Sequence, residues 1–117
     1  MRTSIVLAAA LLALGAALPA TAHHGWSSYD SSQTLNVTGT IKETGYEHPH
    51  GQISLETPGK TWTVVLAPPS RMQNRGLSAE MLAVGRKVTV VGYPSRNDAQ
   101  EMRAERITAN GKTVELR

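Results

Sequence analysis

Between Leu35 and Leu66 the chain repeats its apolar residues at every second position, and that period restricts it to strands. Leu35, Val37, Gly39 and Ile41 alternate with Asn36, Thr38, Thr40 and Lys42, which predicts a half-buried strand over Leu35 to Glu43. Gly45 and Pro49 interrupt the pattern, and it resumes through Ile53 and Leu55 over Gln52 to Glu56. Pro58-Gly59 is a strong turn signal, so Lys60 to Leu66, with Trp62, Val64 and Leu66 on one face, completes a hairpin. Pro68-Pro69 ends that strand.

The second half follows with different punctuation. Ser70 is placed to cap a short helix through Arg75, with Gly76 at the position of a C′ glycine. Ser78 to Val84 allows another helical turn, closed by Gly85. Lys87 to Tyr93, with Val88, Val90 and Val91, reads as a central strand. Pro94 to Gln100 is a polar turn, and Met102 to Ala109 alternates again with some irregularity. Asn110-Gly111 is a tight hairpin dipeptide that leads into a short last strand, Thr113 to Leu116. Three strands, a short helix, two strands and a small terminal strand predict a mainly β fold: a five- to six-stranded OB-like Greek-key barrel with its helix between strands 3 and 4.

The first 22 residues follow the secretory pattern. Arg2 supplies the positive charge, Ile5 to Leu18 is an apolar run too short for a comfortable span, and Ala20-Thr21-Ala22 is a small-x-small cleavage site. Residues 1–22 are therefore expected to be a cleaved signal peptide, 23–34 an N-terminal arm and 35–117 the single barrel domain. The mature protein is expected to be periplasmic or secreted and to have no membrane span. Cleavage leaves 95 of the 117 residues, enough for one modest core. The formal charge of +3 falls to +2 once Arg2 is lost, and the basic residues are interspersed with acids, which argues against nucleic acid as a partner. The chain has no Cys, so any metal site must draw on nitrogen, oxygen or thioether ligands.

Cleavage after Ala22 would make His23 the first residue, with His24 directly behind it. The other two histidines form His48-Pro49-His50, so all four lie in two short clusters. Cu(II) favours imidazole and amine nitrogens in tetragonal geometry. The α-amine and Nδ1 of an N-terminal His close a chelate ring on one metal, and a further His completes a T-shaped set, the histidine brace. An amine, a deprotonated amide and the imidazole of His24 form an alternative chelate. Pro49 restricts the backbone between His48 and His50 and lowers the entropy lost when both rings converge. His23, His24, His48 and His50 are thus the candidate metal ligands, with copper as the expected ion and zinc as the alternative. In an OB-type barrel the arm and the loop between strands 1 and 2 can share one end.

Other residues read more plainly. Trp26 and Tyr29 are expected to pin the arm by packing, and Asp30 reads as a turn residue rather than a ligand. Met72, Met81 and Met102 show no metal-binding spacing and read as core filling. Arg71, Arg75, Arg86, Arg96, Arg103 and Arg106 are candidates to line an anion groove, although Trp62 and Tyr93 alone make a poor stacking platform. No nucleophile elbow, phosphate loop or carboxylate pair is present, so the chain is not read as an enzyme; a mononuclear copper oxidase is the weakest alternative.

The layout of His23-His24-Gly25-Trp26, Gly39-Thr40-Ile41, His48-Pro49-His50, Trp62-Thr63-Val64, Pro69 to Gly76, Gly85-Arg86-Lys87-Val88-Thr89-Val90 and Gly111-Lys112 resembles a family of small exported bacterial proteins of uncharacterised function. The resemblance spans nearly the whole mature chain and implies an OB-like fold without an activity. Members carry Asn-Pro-His where this chain has His48-Pro49-His50, which makes His50 the shared histidine and His48 an addition. Metal handling or tolerance is the expected role. The alternative is an OB-like interaction module for an envelope protein or saccharide, with the histidines incidental.

Overall fold

The computed structural model describes residues 25–117. The alternating segments become six strands: β1 (Leu35–Gly45), β2 (Gln52–Thr57), β3 (Lys60–Val65), β4 (Lys87–Pro94), β5 (Glu101–Ala109) and β6 (Lys112–Glu115). One helix, α1 (Pro69–Asn74), and two 3-10 turns, Trp26–Ser28 and Ala79–Leu82, complete the described elements. The sheet runs β3-β2-β1-β4-β5-β6, and a parallel pairing of β3 with β5 closes its first five strands into a barrel. This is the OB-like connectivity that the sequence predicts, with β6 as the extra strand and α1 between β3 and β4.

Long strands make the closure possible by serving two neighbours in succession. β1 pairs with β4 through Leu35–Thr40 and with β2 through Thr40–Gly45. β5 lies along β4 on one edge; its other edge meets β3 through Glu101–Arg103 and β6 through Arg106–Ala109. Such staggering tilts the strands around the barrel axis. Two glycines sit where backbones approach too closely for a side chain. A Cβ on Gly39 would lie 2.2 Å from the Glu56 carbonyl oxygen, and one on Gly92 would lie 2.1 Å from that of Arg103.

The interior is filled by the residues that the alternation selects. Ile41, Ile53, Leu55, Val64, Val88, Val90, Met102, Ile107 and Val114 all turn inward, and Trp62 closes one side beneath the Lys60 ammonium, 3.7 Å from its ring centroid. Met72 of α1 is fully buried, as is Met102, and Met81 packs at the core margin, so the methionines fill space. The helix starts two residues earlier than predicted. Pro68, not Ser70, is its N-cap, because Pro69 at N1 brings a helical φ and lacks an N–H that would go unpaired. It ends as expected at Gly76, where the N–H groups of Leu77 and Gly76 donate to the Met72 and Gln73 carbonyls. The irregularity of the fifth strand is a bulge at Glu105, since Gly92 pairs with Ala104 and Val91 with Arg106. Among the described residues no helix is long and apolar enough to cross a membrane.

Candidate functional site

The β1–β2 loop carries His48-Pro49-His50, and the barrel braces it at both ends. Tyr46 packs its ring against the core and donates its hydroxyl to the Leu77 carbonyl at 2.5 Å. At the other end Gly51 donates its N–H to Ala67 at 2.8 Å and accepts from Leu66 at 2.9 Å, which extends the β2–β3 ladder. Gly51 is buried against Met72, whose Cε would stand 2.7 Å from a Cβ at this position. The three residues His48, Pro49 and His50 are therefore held on a fixed base, outside any strand. His48 is exposed. His50 is half-buried, and its Nδ1 is sealed from solvent with no hydrogen-bond partner.

The arm before β1 is held by a different set of contacts. Trp26 places its ring between two guanidinium groups, with the Arg103 and Arg117 Cζ atoms each 4.4 Å from its centroid. The Tyr93 ring meets it edge-on, 6.2 Å away at 74°. Tyr29 is buried, bridges to Ser95 and donates its hydroxyl to Glu101 Oε2 at 2.5 Å. Burial first, and then the Glu101 carboxylate, push the Tyr29 phenol well above its usual range. Asp30 forms the expected turn: its carboxylate accepts from Ser32 Oγ at 2.6 Å, from Gln33 Nε2 at 2.7 Å and from the Ser32 N–H at 3.0 Å. Those bonds, led by the Ser32 side chain, draw its pKa down to about 2. The arm described here is thus part of the packed domain.

Strand register relates the arm to the loop. Gly45 pairs with Gln52, Gln52 with Val65, Val65 with Arg103 and Arg103 with Tyr93. That row joins the β1–β2 loop to the pair of residues on which Trp26 rests. Adjacent strands lie about 4.8 Å apart, so Gln52, two residues beyond His50, is about 10 Å across the sheet from Arg103. The row runs around the barrel from the last residue of β1 to Tyr93 of β4, whose neighbour Gly92 pairs with the first residue of β1.

Of the four candidate ligands, His48 and His50 lie in this one loop, and His23 and His24 lie outside the described residues, as does the leader read over residues 1–22. Among the described residues no three His, Cys, Asp or Glu side chains gather into a metal-binding group. Five of the six arginines considered for an anion groove make side-chain contacts within the domain, Arg103 among them through Trp26. Arg71 donates to the Leu116 carbonyl, Arg75 to those of Glu115 and Arg117, and Arg96 to that of Ser27. Arg106 pairs with Glu115 at 2.8 Å. A shallow depression of about 200 Å³, lined by Glu43, Thr44, Gly45, Gln52, Ile53 and Ser54, lies beside the loop. It was not foreseen, because it arises where the pairing of β1 with β2 slips around Lys42.

The chain belongs to DUF6152, a family of unknown function, whose pattern matches residues 10–103 and so includes both histidine clusters. No curated protein matches it. Among solved structures it is similar to TiaS in its crystallised complex with a tRNA and ATP, with 19% identity and a TM-score of 0.50 over 73% of this chain and 19% of that one. It is also similar to the ZRD-deleted mutant of TiaS in complex with agmatine, with 19% identity and a TM-score of 0.48 over 73% of this chain and 24% of that one. The chain spans a quarter or less of those proteins, and the likeness to the first is one of fold alone.

Proposed function

We propose that this DUF6152 protein is an exported, periplasmic or secreted copper-binding protein that serves metal handling or tolerance without catalysing a reaction. Cu(II) is held between the mature terminus, His23-His24, and the His48-Pro49-His50 loop. His23 supplies its α-amine and imidazole, His50 supplies the third nitrogen, and His24 and His48 supplement them. The observation that carries this reading is His50 Nδ1, a desolvated nitrogen with no protein partner on a loop braced at both ends. An unpaired buried polar atom costs about 1–3 kcal/mol, so such a group calls for an explanation. A metal ion at this ring accounts for it. Either Nδ1 itself binds, or the ring turns about χ2 to present its other nitrogen. Zinc suits the same nitrogens, but Cu(II) binds such sites more tightly.

The second reading is an interaction module for an envelope protein or saccharide. The depression beside the loop favours it, since the side chains of Glu43, Gln52 and Ser54 bring carboxylate, amide and hydroxyl groups to its lining. A Cu(II) titration followed by EPR separates the two. Protein starting at His23 is compared with protein carrying one extra Ala ahead of it. The copper reading predicts markedly weaker binding and a changed nitrogen pattern in the extended form; equal binding by both removes the terminal amine from the site.

A further inference from the structure

We infer that Arg71, Arg75, Arg103 and Arg117 form a binding site for a divalent oxyanion, with a phosphate group as its ligand. The site is independent of the histidines and of copper. Its four cations come from three parts of the chain: Arg71 and Arg75 from α1 and its C-cap, Arg103 from β5, and Arg117 from the segment after β6. The fold draws them together. Arg103 and Arg117 share the Trp26 ring, each with its Cζ 4.4 Å from the centroid. Arg71 Nη1 donates to the Leu116 carbonyl at 2.9 Å. Arg75 Nη1 donates to the Glu115 carbonyl at 2.7 Å and to that of Arg117 at 3.2 Å. Both guanidiniums of the helix end are thus held against the three residues that carry Arg117 to Trp26.

Gathering like charges in this way opposes folding. Burial lowers the Arg103 pKa from its ordinary value, and the neighbouring charges of Arg71 and Arg117 lower it further. The carboxylates nearby do not restore the balance. Glu105 accepts from Arg117 at 3.3 Å, Glu101 accepts from the Tyr29 hydroxyl, and Glu115 is paired with Arg106. Four guanidiniums against Glu101 and Glu105 leave a positive surplus, which a terminal carboxylate at Arg117 would reduce but not remove. An anion bound there supplies the missing charge. The carbonyl bonds engage only Nη1 of Arg71 and Arg75, and a guanidinium has five N–H donors, so both keep donors for a ligand. Arginine forks match phosphate oxygens, and a tetrahedral dianion accepts from cations on several elements at once, where a planar carboxylate accepts from fewer.

The test is calorimetric titration of metal-free protein starting at His23 with sodium phosphate, run against sodium chloride at matched ionic strength. The arginine Nε–H signals are followed by NMR in the same series. Phosphate is expected to bind, to shift the signals of the four arginines and to leave those of Arg86 and Arg96 in place. Arg75→Gln should weaken binding about fivefold, as loss of one partly exposed charge contact implies, while Arg86→Gln leaves it unchanged. Glu105→Gln removes a competing carboxylate and should tighten binding, a sign that mere loosening of the C-terminal segment cannot produce. Glycerol phosphate in the same titration distinguishes a free phosphate from one carried on a larger molecule: tighter binding than inorganic phosphate assigns the site to the carried group, weaker binding to the free ion. Phosphate heats no larger than those of chloride, or equal shifts at Arg86 and Arg96, would overturn the proposal. So would weaker binding by Glu105→Gln in a protein whose far-UV circular dichroism is unchanged.

Discussion

The arm and the β1–β2 loop are both irregular segments pinned to the barrel, yet they treat their polar groups differently. In the arm, Asp30 is bonded to Ser32 and Gln33, the Tyr29 hydroxyl to Glu101, and the Ser27 and Ser28 carbonyls to Arg96. In the loop, the anchors Tyr46 and Gly51 are equally well satisfied, but His50 buries a nitrogen that nothing meets. The arm is built for its own stability. The loop is held firmly by its neighbours while one of its side chains gives up stability. Departures from local consistency of this kind concentrate at functional sites.

Breaking the platform beneath the arm gives the largest effect. Gly92→Ala places a Cβ 2.1 Å from the Arg103 carbonyl oxygen, a backbone atom that cannot swing away. Chemical denaturation should show a loss of about 3 kcal/mol, the top of the usual overpacking range, together with release of the arm. Tyr29→Phe removes a bond to a carboxylate and should cost about 1–2 kcal/mol. The sign of its pH dependence follows from the direction of the shift. The Tyr29 phenol is raised above its ordinary 10.0, so its stabilisation is complete below pH 10 and fades as the pH climbs beyond it. The unchanged protein should thus lose stability in that alkaline range, and Tyr29→Phe should lose less.

Changes in the loop should be milder, which sharpens the contrast. Gly51→Ala meets the mobile Cε end of Met72 at 2.7 Å and the Gly45 carbonyl at 3.3 Å. The methionine can turn aside, and a loss of about 1 kcal/mol is expected. His50→Leu reverses the sign. Without metal it should stabilise the protein by about 0.5–1 kcal/mol, because an unpaired buried nitrogen gives way to carbon. A thermal melt that falls by several degrees instead would mean that His50 serves the fold.

Much of the barrel was legible because short-range chemistry writes it. Period-two alternation, Pro58-Gly59 and Asn110-Gly111 located the strands, and Asn110 and Gly111 take positive φ values of 53° and 76° as a tight hairpin turn requires. The extension of β1 through Thr44 to Gly45 was not legible, because its exposed outer residues carry no apolar signal and the pairing slips at Lys42. The parallel meeting of Val65 with Arg103 was also hidden, since long-range register is not encoded in any one segment. Without that row, Arg103 reads as a surface charge instead of the seat of Trp26. The candidate site was half legible. Clustering singled out all four histidines, but which ring nitrogen lacks a partner depends on packing by residues far along the chain.

The central claim is that the terminal histidines and the β1–β2 loop bind one ion together. A double-mutant cycle in Cu(II) affinity tests it directly, using protein starting at His23, the form with one added N-terminal Ala, His50→Ala, and both changes combined, with bound copper counted in each. Ligands of a single ion predict one copper per chain and strongly non-additive losses. Additive losses, or two ions of which each change removes one, would contradict the account.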